Sequence, residues 1–404
     1  MYQPDQDILE RYANLLVNFA LNEGEGIDNG DVVRIRCPEI AKPLYAELRK
    51  AVLKSGGHII GSYRPNVRGG INTKEDFYTH ASDKQIEYFP EDYYRGLVEE
   101  IDHSIAIRGQ TDKHALEDID SKQMMRRSQA MKPYLDWRRE KENKGKFTWT
   151  LAMYGTKAGA DEADMSLKEY WQEIISACYL DQDDPIAEWE DMQAKIQEIR
   201  NKLNELPIES VHVEAENIDL RIKNGEKRVW RGGSGNNIPS YEIFTSPDWR
   251  GTEGTIAFNQ PLYRYGNLIS GIQLEFEDGK VVEASADKNE DVLLNMLKTE
   301  NADKVGEFSL TDKRFSRIGQ FMAETLYDEN MGAEHGNTHI ALGRAYKDCY
   351  DGDPSNPSDD KWEELGFNDS AVHTDIVSTE PRTATATLKC STEKVIYEDG
   401  QFQI

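Results

Sequence analysis

A chain of 404 residues is too long for one ordinary hydrophobic core, so two domains are expected. Its formal net charge of -26 argues against nucleic acid or an anionic membrane as partner, because phosphate binding needs clustered Lys and Arg. Seven Trp and nineteen Tyr exclude wholesale disorder, and the acidity itself reads as solubility.

Cys37, Cys178, Cys349 and Cys390 stand far apart, with no CxxC pair. This argues against a zinc ribbon or a thioredoxin-type site and suits reduced thiols in a cytoplasmic protein. The segment from Met1 to Asp5 lacks a basic and an apolar region, so no signal peptide is expected. No stretch approaches the roughly eighteen unbroken apolar residues of a membrane span.

In chain order, residues 5–22 read as an amphipathic helix, with Leu9, Tyr12, Leu15, Leu16 and Phe19 at helical spacing. The alternating run Val32–Cys37 predicts a strand, residues 41–54 a helix closed by Gly56 and Gly57, and His58–Tyr63 a second strand. Strand, helix and strand at this spacing form a βαβ unit, so a mainly parallel sheet is expected. A helix near 90–101 and strands at 103–108 and 149–154 extend it. His58, His80, His103 and His114 lack partners at metal-ligand spacing and read as structural or surface groups. Met125–Arg127 and Arg138–Arg139 read as solvated helix faces. Residues 166–206 are helical, with Pro185 placed for a first helical turn.

After Leu206 short alternating runs dominate: 211–213, 220–223, 255–258 and 272–276. Asp278-Gly279 between Phe276 and Val281 is a hairpin signal. One clear helix, about 289–299, interrupts them. The expected architecture is an N-terminal α/β domain over 1–206 and an α+β, β-rich C-terminal domain over 207–404. Gly232–Asn237 matches neither GxGxxG nor a P-loop and reads as a flexible loop carrying the next motif into a cleft. Asp351–Asp360 reads as an exposed loop.

The chemistry concentrates in the second half. Asp328-Glu329-Asn330, His335 and the run His339–Tyr346 bring carboxylate, imidazole and phenol close together in sequence. Imidazole with carboxylate suits zinc, cobalt or manganese. His373 and Asp375 are two apart, so on a strand they share a face. Glu242, flanked by Ile243 and Phe244, and Glu307, after Gly306, are further candidates. Two metal ions about 3.5–4 Å apart can activate a water and polarise a carbonyl together. Spacing alone leaves the substrate open, and a salt-bridge role for either upstream glutamate stays open as well.

The second half resembles the aminopeptidase T family, also called aminopeptidase S, of thermophilic-type dinuclear metallo-aminopeptidases. The resemblance runs through Asn217–Leu220, Asn237–Pro247, Gly279–Ala284, Gly306-Glu307, Leu326–Asn330, His339–Gly343 and His373–Asp375, in that order. It implies a metal-dependent aminopeptidase acting on peptides. Its ligands for two divalent ions (zinc, cobalt, manganese or magnesium) would be Glu242, Glu307, Glu329, His339, His373 and Asp375. Its catalytic tyrosine would be Tyr346, and its assembly a homodimer. Glu307, following a glycine, is expected to bridge the ions, with Glu242, Glu329 and His339 towards one and His373 and Asp375 towards the other. The stretch between Glu329 and His339 is longer than the family pattern, which leaves His335 as an alternative to His339. A metal- and peptide-binding protein without turnover, or a dinuclear hydrolase of another amide, are the competing functions.

Overall fold

A computed structural model describes residues 2–66 and 71–404, which form two compact units. The first comprises the residues through Gln193 together with Ser234–Ser240 and Met322–Leu326. The second comprises Ala194–Gly233, Tyr241–Phe321 and Tyr327–Ile404.

The first unit is built on a parallel sheet in the order His58–Arg64, Val32–Pro38, His103–Arg108, Thr148–Met153, Asn237-Ile238. In its central strand Val32–Pro38 the buried Val33, Ile35 and Cys37 alternate with Arg34 and Arg36, which share the other face. The first helix, Gln6–Asn18, buries Leu9, Tyr12, Leu15 and Leu16 on one face. Lys42–Lys54 has Pro43 in its first turn, where the missing N–H costs nothing, and is followed by Gly56 at φ +82°.

Here the structure adds to the sequence reading. Ser121–Ala130 and Lys132–Asn143 are helices, and their arginines are half-buried rather than solvated. Arg127 donates to the carbonyls of Ile86 and Tyr88, and Arg138 lies 4.9 Å from the centre of the Phe147 ring. His103 is structural, held between Thr148 Oγ1 at 2.7 Å and Asp31 Oδ2 at 2.8 Å. The glycine-rich segment does more than carry a motif: Asn237-Ile238 pairs with Leu151 and Ala152 as the sheet's edge strand.

The helix Pro185–Glu205 runs from the first unit into the second. In the second unit an eight-stranded antiparallel sheet takes the order Lys280–Ser285, Gln273–Glu277, Glu253–Ala257, Ile218–Lys223, Ile208–Ala215, Thr383–Leu388, Glu393–Glu398, Gln401-Phe402. Asp278 and Gly279, both at positive φ, close the two-residue turn of its first hairpin. Helices occupy Glu290–Leu297 and the short stretches Thr325–Asp328 and Asp359–Glu364. A separate four-stranded antiparallel sheet, in the order His373–Ser378, Asn337–Gly343, Val305–Thr311, Glu242–Thr245, carries five of the candidate ligands.

Candidate metal centre

Register places five of the six expected ligands on one face of the four-stranded sheet. Glu242 pairs with Thr311, Glu307 with Ala341, Ala341 with Asp375, Ser309 with His339, and Gly343 with His373. Directly opposed residues share a face, as do residues two apart on one strand. Glu242, Glu307, His339, His373 and Asp375 therefore project together. Phe308, Leu310, Ile340, Leu342 and Ile376 project from the opposite face into the core.

The approach of the strands depends on Gly306. A Cβ there would strike the backbone of Gly343 and Arg344. The pairing shifts register between Val305 and Glu307, a bulge that re-aims the glutamate.

Glu242, Glu307 and His339 offer donor atoms within 4.8 Å of one another, and so do Glu307, His373 and Asp375. Glu307 belongs to both groups. His339 Nε2 lies 3.1 Å from Glu242 Oε2 and 3.2 Å from Glu307 Oε1. His373 Nε2 lies 3.4 Å from Asp375 Oδ1 and 3.7 Å from Glu307 Oε2. The two oxygens of Glu307 thus face different imidazoles. His373 Nδ1–H donates to the carbonyl of Arg344 at 2.7 Å, which leaves Nε2 as the ring atom that faces the carboxylates. His339 Nδ1 is buried and meets no acceptor among the described residues.

Glu329, the sixth expected ligand, follows the short helix Thr325–Asp328 and is buried. Its carboxyl pKa is raised well above the usual value, first by burial and then by the charges of Asp375 and Glu242. His335 stays outside both groups. It is half-buried, with Glu334 at 3.8 Å from its Nε2.

Electrostatics describe a site with surplus negative charge. Burial, together with repulsion from Glu242 and Asp375, pushes Glu307 up to about 7, although His339 works against it. Burial opposes protonation of His339, yet its bonds to Glu242 and Glu307 raise it well above the usual imidazole value. Asp375, in spite of burial, is held down at about 2 by His373 and His339. Three buried carboxylates, Glu242, Glu307 and Glu329, with the half-buried Asp375 beside two imidazoles, are costly without compensating cations. Oxygen and nitrogen donors in this mixture suit zinc, manganese or cobalt, so the residues fit a divalent metal centre.

Tyr346 lies beyond the end of the Asn337–Gly343 strand. Its ring meets His373 edge-on at 4.7 Å between centroids and Phe244 at 6.0 Å. Burial first, then the charge of Glu307, raises its pKa well above the usual phenol value, so the hydroxyl stays a proton donor at neutral pH.

Several neighbours escape sequence reasoning. Ser309 Oγ reaches Glu242 Oε2 at 3.4 Å. The charges of Arg264 and Arg344 reach Asp375 and His373 respectively. Arg344 lies within the His339–Tyr346 run and could have been flagged. Arg264 sits on the small hairpin Leu262–Arg264/Asn267–Ile269, with no local signal.

Comparison with known proteins gives this geometry a context. Aminopeptidase 2 of Geobacillus stearothermophilus is 27% identical over 390 residues, covering 91% of each chain. Aminopeptidase T of Thermus aquaticus is 32% identical over 239 residues, 56% of each chain. The structure described as wild-type AmpT from Thermus thermophilus superposes with a TM-score of 0.81 at 24% identity, covering 98% of this chain and 99% of that one, which shows a shared fold. Residues 5–402 match the family model for the thermophilic metalloproteases (M29), and the chain belongs to that family.

Proposed function

We propose that the chain is a metal-dependent aminopeptidase whose four-stranded sheet holds two divalent ions, with Glu307 shared between them. The observation that carries the reading is the membership of Glu307 in both donor groups, one oxygen towards each imidazole. Membership in a metalloprotease family and relatives named as aminopeptidases support the same reaction class.

In this reading Glu242, Glu329 and His339 would hold one ion, and His373 and Asp375 the other. Bound divalent ions would supply an acidified water and Lewis-acid polarisation of the scissile carbonyl. The chain's own residues do the rest. His373 is oriented by the Arg344 carbonyl. Glu307 and Glu242 fix His339 between them. The Tyr346 hydroxyl, kept protonated first by burial and then by the charge of Glu307, donates a hydrogen bond to the oxyanion that develops on the substrate carbonyl.

The proposal includes a homodimeric assembly and a cytoplasmic location. That none of the four cysteines is in a disulfide supports the location, and sedimentation tests the assembly. Among the described residues no helix is long and apolar enough to cross a membrane.

The test is hydrolysis of aminoacyl-p-nitroanilides by the metal-stripped chain after addition of zinc, cobalt, manganese or magnesium. Turnover restored by metal is expected. Tight metal binding without turnover on any aminoacyl substrate would favour a binding protein. Turnover confined to other amides would favour a different dinuclear hydrolase.

A further inference from the structure

The parallel sheet of the first unit carries a concentration of charge of the opposite sign. Arg34 and Arg36 are two apart on Val32–Pro38 and share a face. Pairing sets Arg36 beside Ser62 and Pro38 beside Arg64 on one side. On the other side it sets Arg36 beside Ala106, so Arg108, two residues on, is level with Pro38. Arg64 and Arg108 therefore stand on the same face as Arg34 and Arg36, each one strand spacing, about 4.8 Å, from Pro38.

The helix Lys132–Asn143 adds Arg138. Arg34 Nη1 donates to the Tyr134 hydroxyl at 2.6 Å, and Arg138 lies 5.7 Å from the centre of the same ring. Arg138 Nε is buried and finds no acceptor among the described residues. Lys74 lies within the fields of Arg64 and Arg108.

Among the described residues no ion pair joins any of these six cations to an acid. Glu324, within the field of Arg108, is already held by Lys113 Nζ at 3.0 Å. The guanidinium of Arg36 falls to about 10, through burial first and then through Arg34 and Arg64.

A chain with 74 acidic and 48 basic residues has acids to spare, yet keeps this group uncompensated. The repulsion is relieved when an anion enters. The position agrees: Arg64 and Arg108 end their strands, are exposed, and mark the carboxyl edge where open α/β sheets take ligands.

We propose that this face is an oxyanion-binding site, in which Arg36, Arg64 and Arg108 grip a ligand carrying at least two phosphate or carboxylate groups. Guanidinium forks match both chemistries bidentately. The site lies wholly within the first unit and stands whether or not the peptidase reading holds.

The test uses the full chain, stripped of metal so that no probe acts by chelation, titrated calorimetrically with inorganic pyrophosphate and with tricarballylate. At least one probe is expected to bind, and binding should weaken as salt screens it. Arg64→Gln and Arg108→Gln should each weaken it about tenfold or more, with Arg64→Lys intermediate. Tighter pyrophosphate assigns a phosphorylated ligand, and tighter tricarballylate a carboxylate-rich one. Both substituted side chains are exposed, and a thermal melt confirms folding. Should one variant fail to fold, the other decides. Absence of binding by both probes, or wild-type affinity in a folded variant, overturns the proposal.

Discussion

Replacing Glu307 should release both ions at once. Its carboxylate is shared by two donor groups, so Glu307→Ala removes one protein donor from each. Structural zinc held by four ligands is worth about 10–16 kcal/mol, or roughly 2.5–4 kcal/mol per ligand. At about 1.4 kcal/mol per factor of ten, each ion should bind on the order of a hundredfold to a thousandfold more weakly. Metal content after gel filtration, measured by atomic emission, should fall for both ions together, and aminopeptidase turnover with it. Glu307→Gln separates this role from a structural one. In the metal-free chain it removes a buried carboxyl that burial and repulsion push up to about 7, so thermal stability without metal should hold or rise. Loss of metal alongside an intact melting temperature would mark Glu307 as a ligand. Retention of two tightly bound ions in Glu307→Ala would refute the shared position.

Three other substitutions probe the centre and the fold that carries it. Tyr346→Phe removes the hydroxyl and little else. Turnover should drop on the order of a hundredfold to a thousandfold, about 2.7–4 kcal/mol, while metal content and KM hold; near-normal turnover would reduce Tyr346 to packing against His373. His339→Ala should abolish metal retention and His335→Ala should leave it intact, because His335 stands outside both donor groups; equal losses in the two variants would speak against this assignment. Asp248 is buried, yet bonds to Arg250 at 2.7 Å and Lys223 at 2.9 Å outweigh its desolvation and hold its pKa below the usual value. The stability it contributes is present above the unfolded pKa of about 3.9 and is lost as pH falls through the lower folded value. Asp248→Asn should cost about 1–3 kcal/mol at neutral pH, with partly exposed partners favouring the lower end, and nothing once Asp248 is protonated; thermal melts across acid pH read this directly.

The first unit was largely written in local pattern. Alternation in Val32–Cys37 and His58–Tyr63, separated by a helix of the right length, leaves few arrangements other than parallel pairing, and the register follows it. The helices over 121–143 were legible only as solvated faces, because their apolar residues are sparse and Arg138 serves as a packing group over Tyr134 and Phe147. The strands that carry the candidate ligands were harder for a different reason. Every residue of Val305–Thr311 and Asn337–Gly343 is buried, so polar ligands on one face and apolar residues on the other differ in chemistry but not in exposure. Their candidacy came from residue type and resemblance, with periodicity adding nothing.

By itself the sequence determined which side chains could bind metal, and that His373 and Asp375, two apart on a strand, must share a face. It could not determine that Glu307 faces both imidazoles. That depends on pairing four strands drawn from residues 242 to 378 and on a one-residue bulge at Gly306. Nor could it place Asn237-Ile238 on the edge of a sheet far away in sequence, or gather Arg36, Arg64 and Arg108 on one face. The physical reason is common to all three. Side-chain direction is fixed locally by backbone geometry, but which directions converge is fixed by strand register, and register is settled by burial of the whole sheet at once.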